Sequence, residues 1–169
     1  MGCYCGKLTD FNIKNTPAFI PDIKTGYVIK VYDGDTITIA APISHGITKK
    51  VFKFSVRIKG IDCPEMRTKD ENEKEIAIKA KEYVSEMVLY KQVELSEISF
   101  DKYGRILAEV SIKNINISDK LIEKRLAIEY SGKTKNSPAN WKSFHEGTSM
   151  LVSRVAITIP GPRVGIRGK

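Results

Sequence analysis

The chain has 169 residues, enough for one domain with tails, and a 41% apolar content suffices for a single core. No apolar run approaches the roughly 20 residues that span a membrane, and no basic-then-apolar pattern opens the chain, so classical secretion is not expected. The net charge of +8 is uneven: from Ser131 to Lys169, seven Lys and Arg residues face the single acid Glu146. A nearly balanced body with a basic end points to a polyanionic partner, nucleic acid before anionic lipid. Cys3, Cys5 and Cys63 form no disulfide framework and fit a reducing, intracellular compartment.

Residues 1–23 read as an arm without periodicity. Met1-Gly2-Cys3-Tyr4-Cys5 would expose Gly2 if Met1 is removed, with Cys3 and Cys5 open to acylation. Gly6 stands where the myristoylation signal wants Ser or Thr, so a membrane anchor through Gly2 and Cys3 is a secondary expectation. From Gly26 the pattern changes. Tyr27 to Tyr32 is β-rich, Asp33-Gly34 is a hairpin signal, and Thr36 to Ile39 alternates. Asp35 shares parity with Ile37 and Ile39 and should point to their side of the sheet. Ala41 to Thr48 reads as a loop.

Phe52 to Lys59 is the cleanest alternation, apolar at even and polar at odd positions. Gly60 interrupts it and suggests a bulge, which would shift the parity and bring Asp62 to the face of Arg57. Ile76, Ala80, Tyr83, Val84 and Met87 recur at helical spacing. Lys91 to Ile98 alternates, Asp101-Lys102-Tyr103-Gly104 is a turn, and Ile106, Ala108, Val110 and Ile112 mark the next strand, with Arg105 at its start. Asn116 or Ser118 can cap a second helix carrying Leu121, Ile122 and Leu126. Ser137 to Phe144 can hold a short helix around Trp141, and Val155 to Ile159 is strand-like before a disordered basic end. The order of elements is α+β.

The polar residues at strand ends and turns are Asp33, Asp35, Arg57, Asp62, Glu65, Lys102, Tyr103 and Arg105. Singly, each is more ordinary as a turn or a solvated strand residue; together they suggest a site. Carboxylates so placed favour a hard cation with oxygen ligands, Ca2+ or Mg2+. Arginine's planar fork suits phosphate oxygens. A metal held by Asp35 and Asp62 and facing Arg57 and Arg105 would suit a phosphodiester, leaving Glu65 to act on water. His45 and His145 lie outside this set, and zinc is disfavoured for want of His and Cys clusters. Cys63 is a poor nucleophile between Asp62 and Glu65, which oppose a thiolate.

Val31-Tyr32-Asp33-Gly34-Asp35-Thr36, Arg57 to Glu65, Asp101 to Arg105 followed by Leu107-Ala108, and Leu126-Ala127 before Tyr130 occur in an order that resembles the staphylococcal nuclease (thermonuclease) family. The resemblance covers roughly residues 26–130. It implies a five-stranded oligonucleotide/oligosaccharide-binding (OB) β-barrel with two to three packed helices, here over 24–145, with a basic tail over 146–169. It also implies a monomeric Ca2+-dependent endonuclease acting on DNA and RNA, preferably single-stranded, and leaving 3′-phosphate ends. In the implied assignment Asp35, Asp62 and the Cys63 carbonyl bind Ca2+, Asp33 stands behind them, Glu65 is the general base, and Arg57 and Arg105 are catalytic. Lys102, Tyr103 and Tyr130 would contact the nucleotide. Cys63 replaces the Thr of the best-known members, a change that a carbonyl ligand tolerates. The other reading is a nucleic-acid-binding module on the same barrel that has lost catalysis; the survival of all the acids and arginines favours the enzyme.

Overall fold

The computed structural model describes residues 11–45, 48–132 and 136–147. The strands are β1 (Thr25–Val31), β2 (Thr36–His45), β3 (Thr48–Ile58), β4 (Ile61–Asp62), β5 (Gln92–Phe100), β6 (Ile106–Ile112), β7 (Ile115–Asn116) and β8 (Ile128–Glu129). The helices are α1 (Glu71–Val88), α2 (Ile117–Glu123) and α3 (Trp141–His145). Antiparallel ladders join β1 to β2, β2 to β3, β1 to β5 and β5 to β6. A parallel seam, with Val56 opposite Ile106 and Ile58 opposite Ala108, closes the ring. The result is the expected α+β architecture, a closed five-stranded OB-like barrel with three helices.

Period-two patterning fills the barrel. Val28, Ile37, Ile39, Val56, Val93, Ala108 and Val110 are fully buried on its inner side. Helix α1 starts where Asp70 accepts a hydrogen bond from the Asn72 N–H at 2.9 Å. It buries Ile76, Ala77, Ala80, Val84 and Val88, one stripe of a 3.6-residue period. Asn116, not Ser118, caps α2, accepting from the Ser118 N–H. Trp141 and Phe144 of α3 are both buried and meet edge to face, with centroids 5.9 Å apart. Ile23, at the end of the arm, already belongs to the core.

Three sequence expectations change. Ala41 to Thr48 is not a loop: β2 and β3 run on as one long hairpin, with Pro42 opposite Val51 and Ser44 opposite Lys49. β1 pairs no further along β2 than Ala40, so Pro42 faces no β1 partner that needs its missing N–H. Gly60 is a turn residue rather than a bulge. Its φ of +85° reverses the chain into β4, which leaves the barrel and pairs with β8. Helix α2 stops at Glu123 and does not carry Leu126. Arg125 takes a left-handed φ of 53°, and the Leu126 N–H returns to the Leu121 carbonyl at 2.9 Å, closing a Schellman turn with both leucines buried. Gly2, Cys3, the strand-like Val155 to Ile159 and the basic end lie outside the described residues. No helix among the described residues is long and apolar enough to cross a membrane.

Candidate active site

The site forms where the β1–β2 turn, the end of β3 with β4, and the β5–β6 turn meet at one mouth of the barrel. In the first turn the Asp35 N–H donates to Asp33 Oδ1 at 3.2 Å, and the Asp35 carbonyl accepts from the Ile58 N–H at 2.8 Å. Gly34 is required by space rather than by φ. A Cβ there would lie 2.8 Å from Cys63 Sγ and 2.9 Å from the Ala80 Cβ. Cys63 therefore turns its buried thiol into the core, while its N–H donates to Asp35 Oδ2 at 3.2 Å.

Arg57 joins the two acids. Its Nη1 is paired with Asp35 Oδ2, and its Nη2 lies 3.2 Å from both Asp62 Oδ1 and the Ile61 carbonyl. Asp35 and Asp62 are 7% and 6% exposed, so two carboxylates nearly removed from water converge on one cation. The parity shift that Gly60 suggested in the sequence has a counterpart here: the turn brings Asp62 back to Arg57.

A second arginine is held separately. Arg105 Nε donates to Asp101 Oδ2 at 2.6 Å, and the Arg105 N–H donates to Asp101 Oδ1 at 2.9 Å. Burial opposes the charge on Asp101, but hydrogen bonds from Arg105 and from the Tyr103 N–H outweigh it and hold the carboxyl below its usual range. Asp33 is shifted the other way: burial dominates and raises it, against the Thr36 hydroxyl and the two arginines. The Arg105 guanidinium also lies 5.6 Å from the Tyr103 ring centroid, with Lys102 over the same ring at 5.0 Å.

Arg57, Asp62, Glu65, Lys102, Tyr103, Arg105 and Tyr130 line one open cleft of about 690 Å³. Asp33, Asp35 and Cys63 stand behind its wall and do not line it. Glu65 is on the exposed rim, where its backbone N–H donates to Glu73 Oε1 at 3.0 Å. Tyr130 is fixed by β8, its N–H bonded to the Gly60 carbonyl at 2.9 Å. Two residues escaped the sequence reading. Buried Thr36 donates its hydroxyl to Asp35 Oδ1 at 2.9 Å and accepts from Arg105 Nη1 at 3.4 Å, so it bridges the two halves of the site. Asp101 read as a turn residue, yet it orients Arg105; its spacing of four residues from Arg105 was the available signal.

Among the described residues no three His, Cys, Asp or Glu side chains gather closely enough to hold a metal by themselves. Asp35 and Asp62 nevertheless face a shared cation, Arg57, with hard oxygen donors. Carboxylate oxygens are the donor type that a hard divalent ion takes, and both of these are engaged by Arg57 here.

The family model for staphylococcal nuclease homologues matches residues 55–146. The chain belongs to that family. It is 33% identical over 86 residues to a probable endonuclease of Schizosaccharomyces pombe, covering 47% of this chain and 37% of that protein. It is 31% identical over 103 residues to an uncharacterized endonuclease of Haemophilus influenzae, covering 61% of this chain and 51% of that protein. The chain thus spans about half the length, or less, of these curated relatives.

Proposed function

We propose that the chain is a Ca2+-dependent endonuclease that hydrolyses phosphodiester bonds of DNA and RNA with little sequence preference, leaving 3′-phosphate ends. The observation that carries this reading is the convergence of Arg57, Arg105, Asp62 and Glu65 on one cleft, with Asp35 directly behind it. The endonuclease names of two relatives support it.

Arg57 and Arg105 offer two planar forks to the non-bridging phosphate oxygens, where negative charge builds during attack. Both are oriented before substrate arrives, by Asp35 and Asp62 on one side and Asp101 on the other. Glu65 takes the proton of the attacking water as its oxygen bonds to phosphorus; the bond to the 5′-oxygen breaks, and that oxygen leaves as a hydroxyl after taking a proton from solvent water. Asp35, Asp62 and the Cys63 carbonyl would hold Ca2+, which supplies Lewis acidity that offsets phosphate charge. Tyr103 and Tyr130 give faces on which any base can stack, and Lys102 meets the backbone, so little sequence is read.

Digestion of plasmid DNA and of RNA with Ca2+, with chelator, and with Glu65→Gln tests this reading. Chelator should abolish cutting, and Glu65→Gln should lower kcat by about 10²–10⁴. Full activity in the Gln variant, or cutting in chelator, overturns the mechanism. One observation favours a second reading: Arg57 is already engaged by two carboxylates and a carbonyl. A chain that retains oligonucleotide in the same assay without producing fragments would be a binding module.

A further inference from the structure

Two segments away from the cleft hold apolar side chains in water, and strand direction brings them to the same end of their sheet. β1 runs toward the cleft, so the residues before Thr25 join the barrel at the other end of that strand. β3 also runs toward the cleft. Val51 and Phe52 precede Arg57 by six and five residues, about 16–20 Å back along the strand. Pairing between β1 and β2 ends at Tyr27 and Ala40, so the hairpin continues past β1 where the arm enters.

The arm presents its apolar side chains on an ordered turn. The Asn12 N–H donates to Asn15 Oδ1 at 2.7 Å, and the Lys14 N–H donates to Asn12 Oδ1 at 2.9 Å. The Asn15 and Thr16 N–H groups both reach the Asn12 carbonyl, at 3.2 and 3.1 Å. This turn holds Ile13 96% exposed beside exposed Lys14, and Phe19 follows at 75%. Ile23 in the core, and the Lys24 carbonyl accepting from the Leu95 N–H at 2.9 Å, fix the arm to the barrel. On the hairpin, Val51 is 69% and Phe52 45% exposed, between exposed Lys50 and Lys53. Residues 11–21 and 36–61 contain no acid. Asp22 follows the first stretch, and Glu94 faces Thr25 across the β1–β5 ladder.

Large apolar side chains held in water mark a surface that something covers. Protein interfaces are depleted in Lys, which is interleaved with the apolar residues here. Nucleic acid would suit the lysines, but Ile13 and Val51 have no ring face on which a base stacks. Lysines among aliphatic and aromatic side chains suit the interface of an anionic bilayer, which takes both. We propose that the Asn12–Thr16 turn, Phe19 and the Val51–Phe52 stretch dock together on an anionic membrane surface. The apolar side chains enter the boundary between headgroups and acyl chains, and Lys14, Lys50 and Lys53 lie among lipid phosphates. The cleft is held away from the lipid, open to substrate from the aqueous side. This surface depends neither on cleavage nor on acylation of Gly2 or Cys3.

Co-sedimentation of the full chain with vesicles tests the proposal. One set is phosphatidylcholine alone; the other is phosphatidylcholine and phosphatidylserine in equal parts. The parent should pellet with the second set and stay in solution with the first. I13A/F19A and V51T/F52T should each weaken binding about tenfold, and K50Q/K53Q about thirtyfold. The charge-matched K113Q/K124Q, on the β6–β7 turn and the end of α2, should bind as the parent does. The two apolar variants should keep the parent's unfolding midpoint and its affinity for a dodecanucleotide in chelator. The proposal is overturned if the parent binds neither vesicle or both alike, if either apolar variant binds undiminished, or if K113Q/K124Q loses as much as K50Q/K53Q. Two further outcomes also overturn it. Lost oligonucleotide affinity with vesicle binding intact makes the surface a nucleic-acid contact. A parent dimer that I13A/F19A splits in sedimentation velocity makes it an interface between copies.

Discussion

Arg57 is a structural counter-ion before it can be anything else. Replacing it with Gln leaves Asp35 and Asp62 buried without their cation, which costs about 3–5 kcal/mol. Urea unfolding of Arg57→Gln measures this; a loss below about 1 kcal/mol, the value of an exposed pair, would show that the acids find other compensation. Gly34 gives a second test. Gly34→Ala drives a methyl against Cys63 Sγ and the Ala80 Cβ and should cost about 1–3 kcal/mol. Cys63→Ala removes the sulfur, so the double variant should lose less than the two single losses combined. Strict additivity would place the clash elsewhere. The acids and arginines were legible in the sequence because each stands beside a turn signal. Thr36 was not, because a hydroxyl in an alternating strand looks like any β-branched residue until Asp35 and Arg105 are seen on either side of it.

Helix α3 is held partly by charge. Glu75 of α1 accepts from both Lys142 and Lys79, which hold its carboxyl at about 2. Because the folded value is depressed, the contribution is present above the usual value of 4.5 and is lost as pH falls from there through about 2. The stability difference between the parent and Glu75→Gln should shrink across that window. Trp141 is the sole Trp and lies in α3, so its fluorescence follows the same event; a difference constant from pH 5 to 2 would remove Glu75 from the docking of α3. The long elements were legible from periodicity: α1 from its stripe, and β3 and β6 from alternation. β4 and β8 were not, since two residues have no period. They form because Ile61 and Ile128 are buried facing elements, a tertiary fact. The long β2–β3 hairpin was masked by Pro42, a breaker by composition that the absence of a β1 partner makes harmless.

At the scale of the molecule one core takes in Ile61, Ile128, Trp141 and Phe144 along with the barrel strands, but β4–β8 is a separate two-stranded ladder and α3 a five-residue helix, and together they form the rim of the barrel sheet. Amide exchange should separate the two. Val28, Ile39, Val56 and Val110 should exchange together by global unfolding, and Ile128 and Phe144 earlier by local opening. Equal protection at both groups would mean that the rim is no weaker than the barrel. Closure itself was readable only as an implication of family resemblance, because no local pattern says that β3 will meet β6.

That parallel seam also sets a timetable. Val56 waits for Ile106, and Thr25 for Glu94, with α1 between the partners in each case. On a ribosome adding roughly 5–20 residues per second, the β1–β2–β3 sheet would emerge several seconds before either missing neighbour. Until then it presents two unsatisfied edges and an uncovered apolar side, and nothing in its own sequence can close them. The nascent chain is most open to mispairing or chaperone capture in this interval, so slowing translation between Ile58 and Ile106 should lower the yield of folded protein more than slowing it after Tyr130.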